Sequence, residues 1–395
     1  MSASYLNLEF VLLVCGLSLL RTIWPDKYYA SLLAVSSVLV IGLASPPTLL
    51  VIAGVTLFYL YPLHKLQRAL EKRGSSKAAY RFWLWLGMGG LVGFLVIFKL
   101  ERHFTVPYLS GPWIGKEALA LVGFSYFIFR AISFLNIQSI LKLDESNPWT
   151  LLSYTLFLPT LSSGPIQKYQ DFRAQIVAPA RFSASILFTA AYRITRGYFY
   201  KLVVAFILNE IVTTLLSRPE FNAMTSTLIV VLLYIFFYFD FAGYSDIAIG
   251  FGLLMGVRVP ENFRKPFLAT TVSEFWRNWH ITLVDWFRDH VFIPLGGMKS
   301  SRLRAAILAG LTMVLCGLWH GLALPFVLWG VWHGSLLFVE AISQVKPIPP
   351  SRRHGIRYWA RALQTNTYVA IGSILFLPDS ANILKVFRGF LHWQW

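Results

Sequence analysis

The residue best placed to do chemistry is a histidine at the end of an apolar run. His320 closes Cys316-Gly-Leu-Trp-His-Gly321 and has no charged residue within a dozen positions on either side. Ionisable groups in such surroundings are rare and usually functional, because placing a charge there costs about 2–3 kcal/mol. A neutral imidazole can take the proton of a hydroxyl and so act as a general base. The alternative is a helix-packing histidine bonded to a carbonyl. Cys316 lies one turn earlier on the same face. A Cys–His nucleophilic pair is conceivable, but no cation stands nearby to make the thiol a thiolate. The pattern returns thirteen residues on as Gly330-Val-Trp-His-Gly334, so spacing alone leaves His320 and His333 nearly equivalent.

A second constellation occupies the polar block before that run, TVSEFWRNWHITLVDWF. Thr271-Val-Ser-Glu274 has the spacing of a capping box, which predicts a helix from about Val272. On such a helix Ser273, Arg277, His280 and Val284 share one face. Arg277, Asn278 and His280 are then expected at the mouth of a substrate passage; the plainer reading is an aromatic interfacial helix. Ionisable groups also interrupt apolar runs at Arg130, Arg193, Arg196, Asp240 and Asp246, with Tyr244 one turn after Asp240. They either pair, Arg130 or Arg196 with Asp240, or line a polar tunnel. Signatures of a catalytic triad, a P-loop or a zinc site are absent, and the two cysteines, Cys15 and Cys316, imply no disulfide framework.

These side chains must be positioned by membrane spans. Of 395 residues 56% are hydrophobic and 13% charged, against roughly 25% charged in a soluble domain. Apolar runs long enough to cross a hydrocarbon core of ~30 Å recur along the chain. The composition predicts an all-α, polytopic integral membrane protein. A β-barrel is excluded by the continuous, non-alternating runs. Expected spans are Leu8–Trp24, Tyr28–Ala44, Pro47–Leu63, Phe82–Phe98, Glu117–Leu141, Ser183–Leu216, Ala223–Gly256, Ala305–Leu322, Ala323–Ala341 and Leu363–Leu377. That makes about ten or eleven crossings in one domain covering 1–395. The first run lacks a basic n-region, so a retained helix is expected there. Trp149–Ile166, broken by Pro159 and by Ser162-Ser163-Gly164-Pro165, reads as a re-entrant segment on a cavity wall, which makes Ser163 a lining candidate.

The net charge of +17 is spread over the loops. It predicts cytoplasmic placement of Lys65–Arg81, Val257–Arg304 and Lys346–Arg361, and contact with anionic lipid. Nucleic acid is not an expected partner, because the basic residues are dispersed between spans. An acidic cytoplasmic protein docking near Arg264, Lys265, Arg277 and Arg288 is another expectation.

The string FDFAGYSDIAIGFGLLMGVRVPENFRKPFLATTVSEFWRNWHITLVDWFRDHVFIPLGG, followed by GLWHG, resembles the membrane-bound O-acyltransferases. The likeness is greatest to the bacterial branch holding alginate O-acetyltransferases and teichoic-acid D-alanyl transfer proteins, and runs from about Gly123 to Gly334. It implies transmembrane helices with re-entrant and interfacial helices around a central tunnel, in the plasma (inner) membrane. It also implies that His320 is the essential histidine and His280 the second, which separates His320 from His333. Arg277, Asn278, Asp240, Tyr244, Arg130, Ser163, Trp279 and Trp319 are tunnel candidates. No tightly bound cofactor is implied. The donor would be an acyl thioester, acetyl-CoA or a phosphopantetheinyl carrier protein, arriving from the cytoplasm. The acceptor would be a hydroxyl of an envelope polysaccharide or teichoic acid, and an extracytoplasmic acyltransferase a possible partner. GFSYFIFR and FLPTLSSGPIQKYQDF look more like the D-alanyl branch; GYSDIAIG, VFIPLGG and GLWHGLALPFVLWGVWHG look more like the acetyl branch. Acetyl is favoured slightly, because its likeness falls where donor and acceptor meet. Two rivals remain from other classes. His320 and His333 have the spacing by which one helix ligates two haems, although Pro325 interrupts it. A lipid-linked glycan transporter would explain the spans but not the histidine motif.

Overall fold

In the computed structural model the described residues are 24–73, 76–104, 123–141, 147–178, 183–297, 299–377 and 379–392, with a few positions between 14 and 21. Their regular structure is helical, and among them the one extended pairing is an isolated bridge between Phe263 and Trp279. The chain divides into two compact units, Met1–Thr195 with Asp246–Pro260, and Arg196–Ser245 with Glu261–Trp395.

The helices, in chain order, begin with α1 (Tyr29–Ala44), α2 (Pro46–Val55), α3 (Tyr61–Lys72) and α4 (Lys77–Phe104). Next come α5 (Phe124–Leu141), α6 (Pro148–Thr155), α7 (Tyr169–Val177), α8 (Ala184–Tyr198), α9 (Phe206–Leu216) and α10 (Ala223–Leu254). The series ends with α11 (Val272–Trp276), α12 (Ile281–Phe287), α13 (Arg302–His320), α14 (Leu324–Ile342), α15 (Gly355–Ser373) and α16 (Ser380–Gly389). Pro46 at the first position of α2 stops α1 and starts the next helix, as its missing N–H and fixed φ favour.

Among the described residues seven helical stretches are long and apolar enough to cross a membrane: Asp26–Ala44, Pro46–Lys72, Ala78–Leu100, Ala184–Leu216, Ala223–Leu254, Arg302–His320 and Leu324–Ile342. Each coincides with an expected run. The expected span Leu8–Trp24, and Glu117–Leu141 before Gly123, lie mostly outside the described residues. The expected last span, Leu363–Leu377, differs for a physical reason. Its helix, α15, starts at Gly355 and carries Arg357, Arg361, Gln364 and Asn366, so it is not among the seven.

In the first unit the expected re-entrant stretch is irregular and buried. α6 ends at Thr155, a 3₁₀ turn covers Leu158–Thr160, and Gly164–Lys168 has no regular structure. Buried carbonyls at a helix C-terminus or outside a helix need other donors, and Arg130 supplies them. Its Nη1 donates to Tyr154 O at 3.1 Å and its Nη2 to Thr160 O at 2.5 Å and to Thr160 Oγ1. Tyr154 Oη in turn donates to Gln167 O at 2.8 Å. Arg130 thus clamps a loop, and Arg193 pairs with Asp246 at 2.6 Å. Arg130→Leu leaves these carbonyls without their donor. We expect it to cost about 2–4 kcal/mol, read as a lowered thermal midpoint of the purified protein; an unchanged midpoint would remove the clamp.

In the second unit α13 and α14 form a hairpin joined through glycines. A Cβ on Gly330 would lie 2.7 Å from Met313 O and from Val314 Cα, and one on Gly334 2.7 Å from Gly310 O. Gly317 meets the backbone of Phe326 and Gly330, as half of the expected small-residue motif. Gly321 does not share that role; it lies under the Phe326 ring. His320 is therefore held at the turn of a tightly joined helix pair.

Candidate active site

The polar block that carries His280 departs from the single helix its sequence predicts. Thr271 caps α11 as expected, its Oγ1 accepting from Glu274 N at 3.0 Å. The next free amides, Val272 N and Ser273 N, donate to the Glu340 carboxylate at 2.5 and 2.9 Å. The Glu274 carboxylate returns to Thr270 N at 2.8 Å, not to the cap residue, and also takes Arg353. After Trp276 the helix ends. His280 adopts φ 46°, left-handed backbone that costs a non-glycine residue of order 1–3 kcal/mol. The shared face of Ser273, Arg277, His280 and Val284 is therefore broken.

Pairing with residues 262–264 holds the strained turn. Arg264 N donates to Asn278 O and Ile281 N to Asn262 O, both at 3.0 Å. The His280 ring is buried, with Nδ1 3.1 Å from Asn262 Oδ1 and the Phe241 ring edge-on at 4.6 Å. Burial first, and then the neighbouring His320, hold its imidazole well below the usual histidine range, so it is neutral at pH 7.

His280 and His320 line one cavity of about 540 Å³ in the second unit. Arg277, Trp279, Asp240, Cys316 and His333 line it too. Around His320 stand Trp319, Phe376, Trp329 and Phe326, with ring centroids at 4.5, 4.9, 5.3 and 6.4 Å. Trp319 also faces His280 at 6.5 Å. Trp279 stacks on Phe275 at 5.3 Å and on Tyr234 at 6.0 Å. Aromatic walls of this kind limit water and strengthen the few polar contacts inside. Such a site suits reactions whose intermediates water would destroy.

Asp240 lines the cavity, the second of its two expected roles, and its ion-pair partner is Lys201, not Arg130 or Arg196. Lys201 lies on a π-helical turn, Phe199–Ala205, and Arg196 stacks over the Tyr200 ring. Asp285, also on the wall, pairs with Arg288 at 2.7 Å. Of the other expected residues, Asn278 Nδ2 donates to Glu274 O at 2.8 Å, a contact within the turn. Tyr244 lies one turn beyond Asp240 on α10 and is half-buried; Arg130 and Ser163 belong to the first unit. Sequence reasoning missed Asn262, Lys201 and Phe376. Asn262 stands in PENF, and no periodicity links it to a histidine eighteen residues later.

The model of the membrane-bound O-acyltransferase family matches residues 137–378. A probable alginate O-acetylase of Pseudomonas putida is 30% identical over 388 residues, 93% of this chain and 76% of its own length. A teichoic acid D-alanyltransferase of Bacillus subtilis is 28% identical, covering 80% of this chain and 82% of its own. A teichoic acid D-alanyltransferase of Streptococcus thermophilus is 32% identical over 59% of each.

Proposed function

Because the chain belongs to the membrane-bound O-acyltransferase family, we propose that it moves a small neutral acyl group, acetyl, from a thioester to a hydroxyl at His320. It is a multi-pass integral membrane acyltransferase. The donor, acetyl-CoA or an acyl-phosphopantetheinyl carrier, reaches the cavity from the cytoplasm. The acceptor is a hydroxyl of an envelope polysaccharide or teichoic acid on the other side of the plasma membrane, with an extracytoplasmic acyltransferase as the partner in delivery. The observation that carries this reading is the meeting of His320 and His280 on one aromatic-walled cavity.

The chemistry follows from the groups present. His320 takes the hydroxyl proton as the oxygen attacks the thioester carbonyl carbon. The tetrahedral intermediate expels the thiolate, the C–S bond breaks, and the imidazolium returns its proton to sulfur. Ester and thiol leave, and the histidine is neutral again. Positioning by the walls supplies a large part of the rate, because both reactants are held together away from water.

Charge on the walls favours a neutral acyl group. A D-alanyl group carries an ammonium, which needs a free carboxylate or several acceptors. Asp240 is neutralised by Lys201 and Asp285 by Arg288, while Arg277 has no carboxylate partner among the described residues. Arg277 and the basic loop with Arg264 and Lys265 suit the phosphates of the donor or an acidic carrier. D-alanyl transfer is the second reading, favoured by the similarity to teichoic acid D-alanyltransferases.

Purified protein in liposomes, offered acetyl-CoA and D-alanyl-loaded carrier in parallel with a polysaccharide acceptor, distinguishes the two. We expect acetyl ester to form at least about tenfold faster, the effect of one unfavourable charge contact of ~1.4 kcal/mol. D-alanyl ester as the main product would overturn the neutral-group reading and leave the His320 mechanism standing.

A further inference from the structure

Asn262 is fully buried and makes contacts whose directions are not interchangeable. Its Oδ1 lies 3.3 Å from Thr282 N, 2.9 Å from Thr282 Oγ1 and 3.1 Å from His280 Nδ1. Its Nδ2 donates to Ser245 Oγ at 3.3 Å. A backbone N–H only donates, so the atom facing Thr282 N must be the amide oxygen. An amide oxygen only accepts, so the His280 nitrogen that meets it must carry hydrogen. A neutral ring has one N–H, and its lone pair is therefore on Nε2.

We propose that Asn262 is a positioning residue that locks His280 in the Nδ1–H form, so that Nε2 is presented to the bound donor as a hydrogen-bond acceptor. The proposal rests on the reading of this cavity as the acyl-transfer site and adds that His280 serves its donor side. It gives the strained turn a purpose. The left-handed backbone at His280 and the Phe263–Trp279 bridge bring a ring to an amide eighteen residues earlier in the chain. Without that partner the ring exchanges freely between two tautomers, one of which turns an N–H toward the donor. An acceptor lone pair suits the amide N–H groups of a pantetheine arm, the chemistry shared by coenzyme A and carrier-bound donors.

Three variants test it: Asn262→Ala, Asn262→Asp and His280→Ala. Asn262→Ala removes the lock and should lower kcat/KM for the donor about 10–100-fold at every pH, the range seen when a partner that orients a functional histidine is lost. Asn262→Asp keeps an acceptor on Nδ1–H but adds a negative charge beside the ring. That charge favours the imidazolium and raises the pKa of His280. Activity that needs the neutral ring is lost as pH falls through that pKa. The acid limb of Asn262→Asp should therefore move to higher pH, with activity near wild type recovered at high pH. The other titratable and charged groups near the ring, His320, Arg277, Asp240 with Lys201 and Asp285 with Arg288, are the same in all three variants, so the shift belongs to the new carboxylate. ¹⁵N spectra of histidine-labelled protein report the tautomer directly, with the His280 signals assigned by their loss in His280→Ala. Nδ1–H in the wild type and a tautomer mixture in Asn262→Ala are expected. An Nε2–H ring in the wild type, or an unmoved acid limb in Asn262→Asp, overturns the proposal. Full activity of His280→Ala would instead remove the donor-side role on which it rests, while the spectra still decide whether Asn262 sets the tautomer.

Discussion

His320→Ala is expected to lower acyl transfer by about 10²–10⁴-fold, the usual contribution of a positioned general base, while the protein still inserts and folds. The side chain is half-buried and borders an existing cavity, so its loss widens a space that is already open. It ends α13, and the glycine contacts that join α13 to α14 do not involve its ring. What folding loses is edge-on contact with Phe376 and Trp329, about 0.5–1.5 kcal/mol for each aromatic pair. His333→Ala should behave in the opposite way. That ring is buried between Trp276, at 5.0 Å, and Trp329, at 4.8 Å, and packs against Gly372. Its removal costs packing first and leaves more of the activity. Cys316→Ala should remain active, because on this mechanism no acyl-enzyme forms. Rates of ester formation by the purified variants in liposomes, beside their thermal midpoints, check all three.

Gly330→Val should be nearly as damaging without touching a reacting atom. A Cβ there meets the Met313 carbonyl and Val314 Cα at 2.7 Å, and both are backbone that a rotamer change cannot move. The helix pair must separate, at a cost of about 1–3 kcal/mol or more. Displacing His320 by even ~1 Å is enough for a loss on the order of 10²-fold in rate. Gly89→Ala on α4 is the matched comparison. Nothing lies within 4 Å of its Cβ, so it should be neutral or slightly stabilising by helix propensity. The pair is read by thermal unfolding and transfer rate. Equal behaviour of the two variants would mean that the hairpin contact does not position the histidine.

The spans were legible because a continuous apolar run of sufficient length has few other fates. At α15 the signal is mixed, since an apolar end follows a polar first half, and the helix is not among the seven. The cap at Thr271 was legible because it is local, decided within four residues. The course of the chain after Trp276 was not, since a left-handed residue stabilised by a strand-like contact with residues 262–264 leaves no periodic trace. Asp240 was legible as a buried acid, but its partner was not. A π turn at Phe199–Ala205 widens the helix and changes which side chains face inward, so a 3.6-residue period does not find Lys201. Arg130 was read as a tunnel or ion-pair residue. Its clamp role depends on where an irregular loop places two carbonyls, and only the folded backbone reveals that.

The central claim is direct transfer at His320, and single-turnover transfer from a labelled acetyl thioester tests it most directly. Wild type and His320→Ala are followed side by side, with intact-mass detection of the protein and quantification of labelled ester. The account predicts product in the wild type with no labelled protein on the way, and at most about 1% of that rate in His320→Ala. Comparable rates in the two proteins, or label accumulating on Cys316 before product appears, would contradict it.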